Sequence, residues 1–368
     1  MQPIDVRYLI PGMKVAYPII DGYGRVLINT GVVLTPGYIE RLRKLRYQTI
    51  YIVNSKYKDL NSTPTVSFQL RQRALDTLGK AFSITSETFP GNVLTIVNEV
   101  KDIAQEIVLE LAEKKNLLID ILDIRNTDNY TLFHSLNIAI LAAAVGIELA
   151  MTNDKLVDLV AGALLHDIGK VKIPPEILNK PGPLDDDEWT IMKKHPLLGV
   201  ELIGGRADIN PEALYPILQH HEKDHGNGYP QRIPGNYIHP YAKITAVCDI
   251  YDAMTSNRVY KPAYPPQEVF EYISSLGGNE LDYKTVQIFT RIIAAYPVGT
   301  MVRLSTGEAG YVIKNYKGLP ARPLVLVTHV NNRKVTPYEA DLARNLDVVI
   351  TGPVSEIDLI KENLAEFV

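Results

Sequence analysis

The chain has 368 residues, more than one hydrophobic core usually organises, so its length predicts two or three domains. Its 38 basic and 42 acidic side chains give a net charge of −4, which excludes a broad basic face for nucleic acid, and we expect no DNA partner. The single cysteine, Cys248, excludes an internal disulfide framework and a thiolate zinc site, and it fits a reducing compartment.

The sequence carries neither an export signal nor a long apolar segment. Its first residues, MQPIDVRYLIPGMKV, lack the charged and apolar regions of a signal peptide. The longest uninterrupted apolar run, IAILAAAVGI at 138–147, has ten residues, whereas a bilayer span needs about 20. We therefore expect a cytoplasmic protein without a membrane span.

Residues 1–65 are predicted to form a small mixed α/β domain. The strand-like segments KVAYPIID, RVLINTGVVL and TIYIVNS are separated by glycine and proline, and GYIERLRKL is helix-like. Residues 66–114 are predicted to be a helical linker, because apolar positions recur there at intervals of three and four. The apolar face of this linker could pack on a second subunit or on its own chain, and amphipathicity alone does not decide.

The rest of the chain divides into a helical and a strand-rich part. Residues 115–296 have a helical pattern almost throughout and predict an all-α domain. After Pro297, the segments TMVRLST, AGYVIKN, PLVLVTHV and DVVIT alternate apolar and polar residues, so 297–368 predict a small β-rich domain. The expected fold class is a mainly α, multidomain protein whose helical centre has a small domain on each side.

The helical middle concentrates histidine: seven of the eight histidines fall between positions 134 and 239. One of them belongs to HDIGK at 166–170, which ends a predicted helix with Asn153 as N-cap and Gly169 as stop. Asp167 lies eleven residues after Leu156, about three turns, so its carboxylate projects from the apolar side of that helix. A buried carboxylate needs a metal or a cation as partner. If this dipeptide is considered alone, the alternative to a metal or cation site is a His-Asp pair at a helix end that makes local hydrogen bonds.

Further polar residues interrupt apolar patterns in the same domain. Each could be an ordinary core or surface residue when taken singly, but together they indicate one site. They are His134, His195, His220, His221, Asp249 and Asp252.

Imidazole and carboxylate ligands without cysteine suit Fe, Mn, Ni or Zn, and a bridging carboxylate can hold two such ions for phosphoester hydrolysis. Adjacent His220 and His221 point about 100° apart on a helix, so they serve one ion only if the helix end bends, or else two neighbouring groups. Candidates for holding phosphate oxygens are Lys170, Lys172, Arg258 and Lys261.

The order H…HD…H…HH…D resembles the HD phosphohydrolase superfamily, and HHEKDHGNGYP at 220–230 resembles its HD-GYP branch. Similar blocks follow in the expected order over about 115–296: DNYTLFHSLNIA, LLHDIGKVKIPPEILNKPGPLDDDEW, MKKHPLLGVELI and AVCDIYDAMTSNRVYKP. An HD dipeptide alone is weak evidence, whereas five blocks together are very specific.

The resemblance implies a phosphodiesterase that hydrolyses cyclic di-GMP to pGpG or GMP with a metal-activated hydroxide. It implies two divalent transition-metal ions, with Fe or Mn expected and Ni, Zn or Co as alternatives. The implied ligands of one ion are His134, His166, Asp167 and Asp249. The implied ligands of the other are Asp167, His195, His220 and His221. Asp167 and Lys170 are the implied catalytic residues.

The resemblance also implies substrate contacts and a loop beside the pocket. The implied substrate contacts are Lys170, Tyr229, Asp252, Arg258 and Lys261. The name-giving GYP loop consists of Gly228, Tyr229 and Pro230, in which Gly226 and Gly228 permit a tight turn and Pro230 restrains its exit. Predicted partners are cyclic di-GMP, a second copy of the chain, and a diguanylate cyclase or other signalling protein at the GYP loop.

The chain departs from the family pattern at a few positions. Tyr130 stands where some members with three metals have Glu, which favours two metals. His225 stands where the family usually has Asp, and it could alter loop contacts or add an imidazole near the site. Asn257 and Val259 weaken the last block.

Three other functions are weighed against hydrolysis of cyclic di-GMP. A domain that binds a nucleotide or a partner without cutting usually loses a ligand, and this set is complete. A phosphohydrolase of another nucleotide, such as a hybrid cyclic dinucleotide, fits the metals, although the GYP block favours cyclic dinucleotides. A purely structural helical module gives no reason for seven convergent ligands. The first 65 residues resemble a module found fused to this family, and we expect a regulatory role for them.

Overall fold

The computed structural model describes residues 2–21, 24–45, 47, 49–53, 65–84, 90–114, 118–119, 130–205, 209–256 and 264–354. Their buried side chains group mainly into an N-terminal core, a large helical core and a C-terminal core. This arrangement confirms the predicted fold class of a helical centre with a mixed α/β part before it and a β-rich part after it.

The N-terminal part combines two small antiparallel sheets with one helix. Its elements are β1 (Gln2–Asp5), β2 (Ile19–Ile20), β3 (Val26–Ile28), α1 (Pro36–Lys44) and β4 (Thr49–Ile52). β1 pairs with β4 and β2 pairs with β3. The α1 helix begins where the Thr35 hydroxyl accepts a hydrogen bond from the Tyr38 amide, as an N-cap does. The predicted helix is therefore confirmed, whereas β1 was not predicted because QPID lacks an apolar alternation.

The helices of the central part surround one long apolar helix, α4. The elements are α2 (Phe68–Ala81), α3 (Pro90–Ala112), α4 (Tyr130–Glu148), α5 (Asn153–Leu164), α6 (Pro175–Leu178), α7 (Asp186–Met192), α8 (His195–Ile203), α9 (Tyr215–Gln219), α10 (Pro240–Thr255), α11 (Pro266–Leu276) and α12 (Tyr283–Ile292). The stretch Thr131–Glu148 has the length and composition of a membrane span, but 83% of it is buried within the protein. Core helices of folded domains share these properties, so this helix is weak evidence for a span.

The segment predicted as a linker belongs to the helical core. Leu70 and Leu78 of α2, and Val97 and Ile107 of α3, are buried in the same cluster as the apolar side chains of α4 and α5. The amphipathic faces of α2 and α3 are thus covered by their own chain. We accordingly propose that the helical domain begins near residue 66 rather than near 115.

The end of α5 differs from the prediction in two respects. The N-cap is Thr152 rather than Asn153, and the α-helix ends at Leu164, before Gly169. Gly169 lies in the 3-10 turn that follows, where an added Cβ would come within 1.9 Å of the His195 carbonyl oxygen and 2.5 Å of the Gly199 amide. The glycine therefore allows two backbones to touch, and this contact brings α8 against the turn that carries Asp167.

The C-terminal part is a five-stranded antiparallel sheet with the order β8-β7-β6-β5-β9. Its strands are β5 (Met301–Leu304), β6 (Glu308–Tyr316), β7 (Leu319–Val330), β8 (Arg333–Asp341) and β9 (Ile350–Pro353). Four of these strands were predicted, and β8 was not, because most of its side chains are exposed and show no apolar alternation. The Lys317 ammonium lies 2.6 Å from the Glu148 carboxylate, which ties the sheet to the end of α4.

Gly169→Ala should lower the urea concentration at which the helical domain unfolds, because the new methyl group would force α8 away from the turn. Overpacking of this kind typically costs about 1–3 kcal/mol. The matched control is Gly79→Ala in α2, where the nearest atom to an added Cβ is Leu132 Cδ1 at 3.9 Å. The control should be neutral or stabilising by up to about 1 kcal/mol. Equal unfolding midpoints for Gly169→Ala and the unchanged protein would contradict the described backbone contact.

Candidate metal centre

Five histidines and two aspartates, which are distant along the chain, meet in the helical domain. His134 lies on α4, His166 and Asp167 follow α5, and His195 is the first residue of α8. His220 and His221 follow α9, and Asp249 lies on α10. The structure therefore brings together all seven residues for which the resemblance implied a role as metal ligand.

Asp167 lies in the middle of this group and is only 1% exposed. Its Oδ1 is 3.3 Å from His195 Nε2 and 3.9 Å from His220 Nε2. Its Oδ2 is 3.4 Å from His166 Nε2 and 4.0 Å from His134 Nε2. Each carboxylate oxygen thus faces imidazole nitrogens from two different segments of the chain.

Asp249 lies between the two sides of the cluster. Its Oδ1 is 3.1 Å from His134 Nε2, and its Oδ2 is 3.9 Å from His221 Nδ1. Because α9 ends at Gln219, His220 and His221 leave the regular helix, and their ring centroids are only 4.0 Å apart. The bend at the helix end, which the sequence left open, is therefore present and turns both rings toward one cluster.

The backbone fixes the tautomer of three of these histidines. The Nδ1 atoms of His166, His195 and His220 lie 2.9, 2.9 and 2.7 Å from the carbonyl oxygens of Ala163, Met192 and Pro216, respectively. A carbonyl oxygen only accepts hydrogen bonds, so Nδ1 carries the proton in each of these rings. The Nε2 lone pairs are left to point into the cluster, which is the arrangement that metal-binding histidines adopt.

His134 is held from behind by a carboxylate instead of a carbonyl. Its Nδ1 donates to Asp252 Oδ2 at 2.7 Å, and the Asn137 side-chain amide donates to Asp252 Oδ1 at 3.0 Å. Asp252 is fully buried and both of its oxygens are engaged. The side chain lies on the far side of the His134 ring from Asp167 and supports that ring from behind, and the substrate contact predicted for Asp252 stays a prediction.

Burial and the neighbouring charges set the protonation of the cluster. Burial lowers the pKa of His195 to about 4 and the pKa of His221 to about 3, so both rings are neutral near pH 7. Burial would raise the pKa of Asp167, but the adjacent Lys170 ammonium outweighs it and holds that pKa well below its usual value. Burial would lower the pKa of His134, but hydrogen bonds to Asp249 and Asp252 outweigh it and raise that pKa to about 9. A metal would therefore have to displace a proton from His134.

The cluster contains acceptor atoms that face one another. His195 Nε2 lies 3.3 Å from His220 Nε2 and 3.3 Å from Asp167 Oδ1, although neither nitrogen carries a proton. His166 Nε2 and Asp167 Oδ1 are buried and have no hydrogen-bond partner among the described residues. Opposed lone pairs and an ionised buried carboxylate are unfavourable unless a cation lies between them. The geometry thus fits a divalent metal.

The candidate ligand atoms form two groups that share one residue. Within each group the atoms lie within 4.8 Å of one another. The groups are Asp167, His195, His220 and His221, and His134, His166 and Asp167. Imidazole and carboxylate donors without thiolate suit first-row transition metals.

One lysine and one loop line the cluster. Lys170 is half-buried, and its ammonium lies 2.5 Å from Asp167 Oδ2. The Tyr229 ring stacks on the His221 ring with centroids 4.6 Å apart and planes at 29°. Gly228 packs so closely that an added Cβ would lie 2.4 Å from Glu222 Cα, and Gly226 adopts a positive φ of 80°. The glycines therefore let the GYP loop fold back on the segment that carries the paired histidines.

Glu222 orders this loop, although no role is predicted for it from the sequence. Its buried carboxylate, 3% exposed, accepts hydrogen bonds at 2.6, 3.1 and 3.3 Å. The donors are the backbone amides of Gln231, Arg232 and Ile233. The only signal in the sequence is an acidic residue directly after two buried histidines, and that signal does not say which amides it meets.

Other predicted residues lie away from the cluster or beyond the described part of the chain. Lys172 and His225 are exposed. His239 caps α10, and its ring stacks on that of Tyr215 at 4.2 Å, so part of the histidine excess serves packing. The predicted substrate contacts Arg258 and Lys261, together with Asn257, Val259 and the Tyr130 side chain, lie outside the described residues.

Comparison with known proteins adds two family matches. Residues 113–285 match the model of the HD domain, and residues 301–362 match the model of the KOW domain associated with HD domain.

Relatives and one solved structure agree with these matches. A cyclic di-GMP phosphodiesterase of Pseudomonas aeruginosa is 32% identical over 272 residues, which cover 68% of this chain and 66% of that protein. A 3'3'-cGAMP-specific phosphodiesterase of Vibrio cholerae is 39% identical over 125 residues, which cover 34% of this chain and 24% of that protein. The chain thus spans no more than 66% of the length of either relative. An HDG"Y"P protein from Bdellovibrio bacteriovorus has the same fold, with a TM-score of 0.50, 20% identity, and coverage of 78% of this chain and 97% of that one.

Glu222→Gln should destabilise the helical domain, because one carboxamide oxygen cannot replace two carboxylate oxygens and its NH2 group would face amide donors. Leaving buried donors unpaired costs about 1–3 kcal/mol, which a shift of the urea midpoint measures. The control is Glu201→Gln, an exposed position on α8, and it should not shift the midpoint. An unchanged midpoint for Glu222→Gln would show that the three amides do not depend on this carboxylate.

Asp252→Asn should weaken metal binding although residue 252 does not face the cluster. Its new NH2 group must point at the Nδ1 of His134 or at the Asn137 amide, and both are donors. Loss of such a partner typically lowers metal affinity by about 10- to 100-fold. Calorimetric titration of metal-stripped protein with Mn²⁺ measures the change. Ser135→Ala is the control, since this buried hydroxyl beside His134 has no partner in the described part of the chain. Equal affinities of the two variants would argue against the proposed support of His134.

Proposed function

Residues 113–285 of this chain belong to the HD domain family, and from that premise we propose that the chain is a metal-dependent phosphodiesterase that hydrolyses cyclic di-GMP to pGpG or GMP. The observation that carries the proposal is the set of unprotonated Nε2 atoms that face the ionised Asp167 carboxylate. The proposed substrate is supported by relatives named as cyclic di-GMP phosphodiesterases, among them the Pseudomonas aeruginosa protein.

We propose that two divalent ions would be held here and that Asp167 would be a ligand to both. One would be bound by His134, His166, Asp167 and Asp249. The other would be bound by Asp167, His195, His220 and His221. The two groups of converging ligand atoms support this division for every residue except Asp249, which lies 3.1 Å from His134 Nε2, and Fe or Mn fits the donors. When bound, such ions supply Lewis acidity toward phosphoryl oxygens and lower the pKa of water.

The residues of the chain would prepare the reaction in three ways. The carbonyl partners of His166, His195 and His220 hold the rings in one tautomer, so no reorganisation is needed when a metal binds. The Lys170 ammonium keeps Asp167 ionised, and its remaining protons can be donated to a non-bridging phosphate oxygen. Tyr229 covers the His221 ring and limits the access of water from that side.

Hydrolysis of a hybrid cyclic dinucleotide is the second candidate. It is favoured by the 39% identity to the Vibrio cholerae protein named for 3'3'-cGAMP, although that match covers only 34% of this chain. The candidate cluster would contact the phosphate and not the base, so it would not discriminate between these substrates. A domain that binds without cutting is less well supported, because all seven candidate ligands converge.

The substrate contacts outside the described residues, the protein partners and the cellular location remain predictions. The contacts of Arg258 and Lys261 with phosphate, the homodimer, and a diguanylate cyclase or other signalling protein at the GYP loop remain predictions. The burial of α2 and α3 within their own domain removes one reason for expecting a second subunit. The cytoplasmic location is also kept as a prediction.

Asp167→Asn and His166→Ala should abolish hydrolysis of cyclic di-GMP in metal-reconstituted protein, because each removes an atom that would bind metal. Loss of a catalytic group typically lowers turnover by more than about 10³-fold. The matched control is His225→Ala, which removes an exposed histidine beside the GYP loop and should leave turnover within a factor of about two of the unchanged protein. Chromatographic separation of pGpG and GMP measures both rate and product. Unchanged turnover in Asp167→Asn would count decisively against the proposed function.

A further inference from the structure

We propose that Trp189 is a base-stacking residue that accepts one purine base of the cyclic dinucleotide whose phosphate is held at the Asp167 cluster. The inference rests on the proposed function and deepens it, because the cluster itself carries no information about the bases. It makes Trp189 a specificity-determining residue for purine over pyrimidine dinucleotides.

The first observation is a row of aromatic rings that leads outward from the cluster. The Tyr229 ring stacks on His221 at 4.6 Å, and its centroid is also 6.3 Å from that of His195. The Trp189 ring follows, 6.4 Å from the Tyr229 centroid and inclined by 74°. In a nucleotide one sugar separates phosphate from base, so a phosphate at the cluster leaves a base within reach of this outer ring.

The second observation is that Trp189 is exposed on a helix whose start is well defined. The side chain is 45% exposed, which is unusual for the largest apolar ring. At the start of α7, Asp185 and Glu188 form a reciprocal capping box, and Glu188 also pairs with the Lys180 ammonium. The capping box stabilises the first turn of α7, so the indole is presented to solvent from a helix and not from a loop.

The inner ring is less suited to this role. One face of the Tyr229 ring is covered by His221, and the side chain is half-buried, so it presents little open surface to a base. Trp189 offers a larger and freer surface. Stacking of a base on an aromatic side chain is worth about 1–3 kcal/mol and is tolerant of base identity. Purines present the larger π-face, so guanine and adenine should bind alike and better than uracil or cytosine.

The experiment uses the fact that Trp189 is the only tryptophan in the chain. Tryptophan emission from the full-length, metal-loaded protein therefore reports on this indole alone. Titration with a hydrolysis-resistant phosphorothioate analogue of cyclic di-GMP should quench the emission in a saturable manner. The analogue of a pyrimidine cyclic dinucleotide should quench it only at higher concentration.

Variants test the same contact through kinetics. Trp189→Leu should raise KM for cyclic di-GMP about 5- to 150-fold, the equivalent of about 1–3 kcal/mol, with kcat and metal content unchanged. Trp189→Phe should keep most of the affinity because it retains an aromatic face. The matched control is Tyr272→Leu on α11, an aromatic ring that is also 45% exposed, and it should leave KM unchanged.

The possible outcomes separate this inference from the proposed function. Hydrolysis without quenching, and with an unchanged KM in Trp189→Leu, would overturn the stacking role and leave the proposed function in place. Saturable quenching without hydrolysis would support stacking and reject the proposed function. A Trp189→Leu protein that loses metal or kcat together with affinity would show a structural role and overturn the inference.

Discussion

The buried carboxylate of Asp167 is the constraint on which the helical domain depends. It is ionised and faces the Nε2 atoms of His166 and His195, whose ring protons lie on Nδ1 and point away from it. Such an arrangement is unfavourable for a folded protein on its own, since lone pairs face one another at 3.3 Å. A cation bound between these atoms would turn the repulsive contacts into attractive ones. The positions of the candidate ligands would then favour metal binding.

The rest of the domain holds these positions without touching the metal side. The backbone contact of Gly169 with α8 sets the distance between Asp167 and His195. Asp252 and Asn137 fix the ring of His134 from behind. Both devices lie in the close-packed interior, where displacements are resisted by many neighbours. The candidate ligands are therefore positioned by residues that are not themselves ligands.

The sequence alone was informative about elements with strong periodicity and about residues whose chemistry is unusual. It predicted the helices and most strands, and it named the residues that converge. The predictions failed where the local pattern does not report tertiary contacts. The strand β8 was missed because it has no apolar alternation. The helices α2 and α3 were assigned to a linker because their sequence does not show which part of the protein covers their apolar faces. Asp252 and Asp249 lie one turn apart on α10 and have the same chemistry, yet only their neighbours decide which faces the cluster. For Gly169 a local role as helix stop was predicted, whereas the structure shows a close contact with the backbone of His195 and Gly199, which lie 26 and 30 residues further along the chain.

In the proposed function, the two aspects of substrate recognition would be carried by different parts of the molecule. The cluster would recognise the charge of a phosphodiester and not its bases, so it would serve different cyclic dinucleotides. Selection must come from groups at its rim, and in the described part of the chain these are the GYP loop and α7. Glu222 holds the loop through backbone amides and not through the metal ligands. The fold of the loop is therefore set apart from the candidate ligands, and under the proposed stacking role the base would be selected by Trp189 on α7 while the cluster holds the phosphate.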